Sequence, residues 1–233
     1  MILKSLISFP INYSPPLMKI KEFVHNLATA VPPQHCTNPY AEEWPLRHGS
    51  AQAFAHQRRH NLQTYLQLMI QQQPKQLLVG EAPGYRGCRL TGIPFTSQHI
   101  LATLSTRFGL ESNPFQSIPE WTDVNREASA TIVWRTINEW RPLPLLWNVF
   151  PFHPHQPNTP KSNRTPKMSE IALGRPFLHH LLHLFPGIKI VAVGKKAAGA
   201  LARWELTHTA VRHPSRGGAK QFQTGMNTLQ KIL

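Results

Sequence analysis

The sequence predicts an α/β protein with three α/β/α layers around a central, mainly parallel four-stranded sheet. Short apolar runs recur at 76–79, 145–149, 188–193 and 206–211, stretches of helical spacing separate them, and each run ends in a loop rich in Gly, Pro, Asn or His. Strands that alternate with helices argue a parallel sheet covered on both faces.

Taken in order, residues 1–50 read as a partly irregular N-terminal leader and 51–233 as the folded domain. Pro32-Pro33 and Pro45 interrupt residues 22–50. Met1 to Pro10 is faintly similar to a secretory signal, but its apolar run is short and no small-residue cleavage site follows it. Met18-Lys19-Ile20-Lys21 would open a chain equally well, which leaves open whether residues 1–17 belong to the natural protein. Residues 51–72 lack Gly and Pro, and Phe54, Leu62, Tyr65, Leu66 and Met69 fall near helical spacing. After the first strand, Ile100, Leu101, Leu104 and Phe108 predict one helix over 97–108. Residues 111–130 read as a polar insertion, and 132–140 fits a helix or a strand equally well. The segment 151–166 reads as a basic, proline-rich loop whose length points to function or mobility. Beyond it come helical sequence over 168–185, broken at Gly174-Arg175-Pro176, a helix over 195–204 and a closing helix from Ala219 with Phe222, Met226, Leu229 and Ile232 on one face.

Composition narrows the function. The chain has 233 residues, enough for a sizeable core, and 41% hydrophobic content. No apolar run approaches the roughly 20 residues of a membrane span, so the expectation is a cytoplasmic protein with no membrane partner. Lys plus Arg number 25 against 11 Asp plus Glu. Between Arg141 and Leu233 stand thirteen basic residues and two acidic ones, Glu170 and Glu205, an electrostatic footprint for a polyanion. Cys36 and Cys88 are the only cysteines, too few for a disulfide scaffold or a four-cysteine iron–sulfur cluster. Asp123 is the only aspartate, which disfavours two-metal nuclease chemistry; no metal or cofactor is expected.

Chemistry-bearing residues cluster at the predicted strand ends, where open α/β sheets bind their ligands. The first strand runs into Gly80-Glu81-Ala82-Pro83-Gly84, followed by Gly92-Ile93-Pro94-Phe95. Asn148 stands at the tip of the second strand, and His213-Pro214-Ser215-Arg216-Gly217-Gly218 follows the fourth. Taken singly, each has a plain alternative: Phe95 as a core ring under its loop, Asn148 as a turn cap, His213 as a loop histidine bonded to a carbonyl. Two weaker signals are read as structural. His153-Pro154-His155 has two imidazoles without a further metal-ligand neighbour and reads as loop that touches phosphate at most, and Val193-Gly194-Lys195-Lys196 lacks the full spacing of a phosphate loop.

Together, and in this order, these residues resemble the uracil-DNA glycosylase superfamily over roughly 75–230. Gly80-Glu81-Ala82-Pro83-Gly84 is similar to its first motif, Phe95 to its base-stacking phenylalanine, Asn148 to its pyrimidine-reading asparagine, and His213-Pro214-Ser215 to its second motif. The resemblance implies a monofunctional glycosylase that hydrolyses the N-glycosidic bond of uracil, or of a related deaminated base, in single- or double-stranded DNA and so initiates base excision repair, acting as a monomer. On it, Glu81 positions or activates water, His213 stabilises the leaving base, Asn148 reads it, and Gly80, Ala82 and Phe95 hold it. Ser215, the amides of Arg216, Gly217 and Gly218, and Lys220 meet the DNA backbone.

The chain departs from the family in three ways. Some branches with this form of the first motif carry an iron–sulfur cluster, which two cysteines cannot build. The best-known branch has an aspartate where Ala82 stands and a thymine-excluding tyrosine where Gly84 stands. Either Tyr85 or another wall replaces that tyrosine, or the pocket is roomier. Two rival readings remain: a non-catalytic binder of damaged or single-stranded DNA on the same fold, and a hydrolase of a small nucleoside or nucleotide.

Overall fold

The computed structural model describes residues 15–41, 51–117 and 125–231. Asp123 and Ile232 lie outside them, as do residues 1–14. In chain order the elements are α1 (Pro15–Thr29), β1 (Cys36–Thr37), α2 (Ala51–Gln72), β2 (Gln76–Gly80), α3 (Cys88–Thr91), α4 (Gln98–Leu101), α5 (Leu104–Arg107), α6 (Ala128–Ile137), β3 (Leu145–Asn148), β4 (His153–Pro154), α7 (Met168–Ala172), α8 (Arg175–Leu184), β5 (Lys189–Val193), α9 (Lys195–Arg203), β6 (His208–Val211) and α10 (Ala219–Lys231).

The four expected strands form one sheet in the order β3-β2-β5-β6, with all neighbours parallel. All five residues of β2 are buried, as its central place demands, whereas β6 at one edge buries only Val211 fully. The other edge is closed by a side chain: the Leu146 amide of β3 donates to the Tyr65 hydroxyl of α2 at 2.8 Å. The chain leaves β2 toward β3 and returns across it to β5, so the connections carrying α6 and α8 run in opposite directions. Right-handed crossovers then place α6 and α8 on opposite faces. α10 packs on α6, and α1 packs on α2 and α8. The switch in direction falls at β2, and the crevice it opens lies at the carboxyl ends of β2 and its neighbours.

Four sequence expectations change. Residues 15–29 are no irregular leader: Ile20, Phe23, Val24 and Leu27 of α1 are buried, with the Phe23 ring 5.3 Å from that of Trp147. The single helix over 97–108 is two short ones, because Thr103 (φ −114°, ψ 8°) leaves the helix and turns its hydroxyl onto the Ile100 carbonyl at 3.2 Å. Residues 128–137 are helical, with Ala130, Val133, Trp134 and Ile137 buried at helical spacing. The segment 151–166 is not structureless. Cys36 pairs with Pro154 and Thr37 with His153 in a small antiparallel ladder. Arg164 locks the rest, donating to both Glu170 carboxylate oxygens at 2.7 Å and to the carbonyls of His155 (2.9 Å) and His35 (3.2 Å). Among the described residues, no helix is long and apolar enough to cross a membrane.

Candidate active site

Strand geometry builds the first half of the site. Gly80 and Asn148 are partners in the β2–β3 register, and the ladder continues past β3 through Val149 N–H to Gly80 O (2.9 Å) and Phe150 N–H to Glu81 O (3.1 Å). Asn148 is therefore fixed beside the first-motif turn. The residue is 4% exposed, and its amide is spent on no described residue. Set in the cavity wall, that amide is open to a donor and an acceptor of a ligand.

Phe95 closes on the same point. A Cβ on Gly80 would stand 2.4 Å from Phe95 Cζ and 2.7 Å from Asn148 Oδ1, so only glycine lets ring and amide meet there. Phe95 adopts φ +53°, a conformation that non-glycine residues rarely hold without support. Support comes from Trp134, whose indole N–H donates to Phe95 O at 3.0 Å, and from Thr91, whose hydroxyl donates to Thr96 O at 2.7 Å.

His213 arrives on the loop after β6. The Ser215 backbone N–H donates to its Nδ1 at 3.1 Å, and the Ser215 hydroxyl lies 2.7 Å from the same nitrogen. An Nδ1 that accepts a backbone N–H bears no proton. Burial, helped by nearby Arg212, holds the His213 pKa below the ordinary imidazole value, so the neutral ring carries its proton on Nε2. Ser215 thus orients the imidazole. Gly218 N–H donates to Ser215 O at 3.0 Å and is used inside the loop, which corrects its expected role toward phosphate. Arg216 (φ +50°) and Gly217 (φ +75°) form the exposed tip of that loop, with exposed Lys220 just beyond on α10.

These parts surround a cavity of about 380 Å³. Of the residues singled out in the sequence, Glu81, Ala82, Phe95, Asn148, His213, Ser215 and Arg216 line it. Gly80 lies behind the ring, and Gly217, Gly218 and Lys220 lie outside the wall. Glu81 is half-buried; burial raises its carboxyl pKa, while the nearby Lys196, Thr165 and Arg216 pull it back down. A larger hollow of about 1140 Å³ beside α1 and α2, lined by Lys21, His25, Arg59 and Gln63, lies away from the strand ends and reaches Ala41, where the described residues break off.

Sequence reasoning missed Glu127, Asn163 and Thr165, which also line the cavity. Asn163 and Thr165 belong to the proline-rich loop, whose length was the available signal. Glu127 had none beyond its place just ahead of a helix.

His153 is corrected. It is fully buried rather than set toward phosphate, with Nδ1 2.8 Å from the Pro83 carbonyl and Nε2 3.2 Å from that of Pro160. It ties the 151–166 segment to the first-motif turn. Burial pushes its pKa down to about 4. The folded ring is therefore neutral where the unfolded one, near 6.5, begins to protonate. Stability from this group is complete above pH 6.5 and lost as pH falls toward 4, amounting to about 3 kcal/mol for such a shift. Urea unfolding at pH 7 and pH 4.5 is expected to show a smaller drop in His153→Gln than in the natural chain; an equal drop would remove His153 as the cause.

The comparisons with known proteins bear on family and fold. A family model described as the uracil DNA glycosylase superfamily matches residues 69–233. The solved structure of Pedobacter heparinus SMUG2 superposes with a TM-score of 0.62 at 17% identity, covering 93% of this chain and 97% of that one. At that identity the likeness speaks for the fold. No curated protein matches the sequence.

Proposed function

Because the chain belongs to the uracil DNA glycosylase superfamily, we propose that it is a monofunctional glycosylase that hydrolyses the N-glycosidic bond of uracil in DNA. The observation that carries this reading is the Asn148 amide, which lines the cavity beside the Phe95 ring and is used by no described residue.

The chemistry follows from the cavity walls. A base swung out of the stack lies against Phe95, a contact worth about 1–3 kcal/mol. The Asn148 amide donates to O4 and accepts from N3–H of uracil. Cytosine presents an amino group and a bare nitrogen on that edge, leaving the buried amide mispaired, which is the source of strong discrimination. As the glycosidic bond breaks, positive charge grows on the sugar and negative charge on the base. The His213 Nε2–H, held outward by Ser215 on Nδ1, donates to O2 and stabilises the leaving anion. Glu81 holds water for the sugar carbon. The basic groups of Arg216, Lys220 and Lys196 face the phosphates, so DNA binding is expected to weaken steeply with salt.

The test is single-turnover release of base from matched oligonucleotides that carry uracil, hypoxanthine, xanthine or thymine. Uracil release is expected, reduced about 10²–10³-fold in Asn148→Ala, the usual loss for one transition-state hydrogen-bonding group. DNA bound without release of any base would favour a non-catalytic binder on this fold.

A further inference from the structure

We infer that Glu127 sets the base specificity of this site, its carboxyl closing the pocket at the place where a side chain on residue 84 would otherwise stand. The inference rests on the glycosylase reading and deepens it.

Gly84 and Gly87 bracket a tight turn in which Gly87 N–H donates to Gly84 O at 3.2 Å. The Glu127 carboxyl lies over both glycines. A Cβ on Gly84 would come within 2.1 Å of Glu127 Oε1, and one on Gly87 within 2.1 Å of Oε2. A side chain on either glycine would have to displace this carboxyl. The backbone of Glu127 is fixed at the start of α6, where its carbonyl accepts from the Thr131 amide (3.0 Å) and hydroxyl (3.1 Å). The carboxyl, packed over both glycines, forms part of the cavity wall.

Tyr85, the neighbouring aromatic, does not line the cavity; its amide donates to Asn163 Oδ1 at 3.0 Å and the Arg86 guanidinium lies 5.2 Å over its ring. The edges of a stacked pyrimidine can then be assigned. Asn148 takes N3 and O4, His213 takes O2, and the C5 edge is left to Gly84 and Glu127. Uracil carries only hydrogen there. Thymine carries a methyl group, which would press on the carboxyl and strip water from it without offering a hydrogen bond. Burial raises the Glu127 pKa to about 7, so near neutrality the carboxyl is neutral about half of the time, which lessens its repulsion of a base leaving as an anion.

The experiment is the ratio of thymine to uracil release, in single turnover, from T·G and U·G duplexes. Glu127→Ala is expected to raise that ratio about 10–200-fold, the range for admitting one methyl group, and Glu127→Gln, which keeps the wall, to leave it near the natural value. Glu127→Ser, which places a preferred residue at the N-cap of α6, reports the same effect if the alanine variant does not fold. An unchanged ratio in the shortened variants, with uracil still released, would overturn Glu127 as the selector and leave the glycosylase reading standing. Release of no base by the natural chain would overturn both.

Discussion

Glu81→Gln is expected to slow single-turnover uracil release by about 10²–10⁴-fold, the range for loss of a general base, with DNA affinity retained. Gln keeps the size and removes only the basic oxygen. The position is secure: Glu81 directly follows the central strand, and its carbonyl accepts from Phe150 N–H at 3.1 Å. Its charge is balanced between burial, which raises the pKa and is the larger influence, and the fields of Lys196 and Arg216, which lower it. A carboxylate must be ionised to orient water, and the fraction ionised rises with pH. The natural protein should therefore lose activity on the acid side at a pH above the ordinary carboxylate value, and Glu81→Gln should lack that limb. A Gln variant with natural turnover would take Glu81 out of the reaction. Ala82, standing where the best-known branch has its aspartate, leaves Glu81 as the carboxylate on this turn.

The half of the site that was legible in the sequence is the half that sits on strand ends. Glu81 and Asn148 each follow a buried apolar run, and a parallel sheet necessarily brings such ends together. Phe95 was legible through the Gly92-Ile93-Pro94 turn before it. What stayed hidden depends on contacts between distant segments. Glu127 reaches the first-motif turn from the far side of a segment whose course no periodicity dictates. His153 looks solvated in a His-Pro-His stretch, yet pairing with Thr37 carries it inside. Arg164 is one basic residue among many until Glu170, His155 and His35 surround it. The helix at 15–29 is a different kind of miss, because Ile20, Phe23, Val24 and Leu27 follow i, i+3, i+4, i+7 spacing, and only the prolines further on drew attention away. Gly218 shows a local limit: glycines in a loop signal close approach, but not whether the approach is to a ligand or to the loop's own carbonyls.

Gly174→Ala is expected to cost about 3 kcal/mol, at the upper end for overpacking a well-filled core, and to lower Tm by about 10 °C in a chain of this size. The backbone at Gly174 (φ −81°, ψ −16°) suits any residue, so torsion is not the cause. The added Cβ would stand 1.7 Å from Val149 O and 2.8 Å from Val149 C, and both are main-chain atoms that cannot rotate away. Val149 immediately follows Asn148 and donates to Gly80 O at 2.9 Å, so any relief of the clash shifts the register that seats the amide beside Phe95. Uracil release should fall even at temperatures where the variant remains folded. Gly199→Ala in α9 provides the control: no atom lies within 4 Å of the added methyl, and the change should stabilise by up to about 1 kcal/mol through helix propensity alone. The same Gly→Ala change is thus expected to have opposite signs at the turn before α8 and inside α9. Thermal unfolding of the two variants side by side checks it, and a Gly174→Ala protein as stable as the natural chain would show that α7 and α8 are free to move off β3.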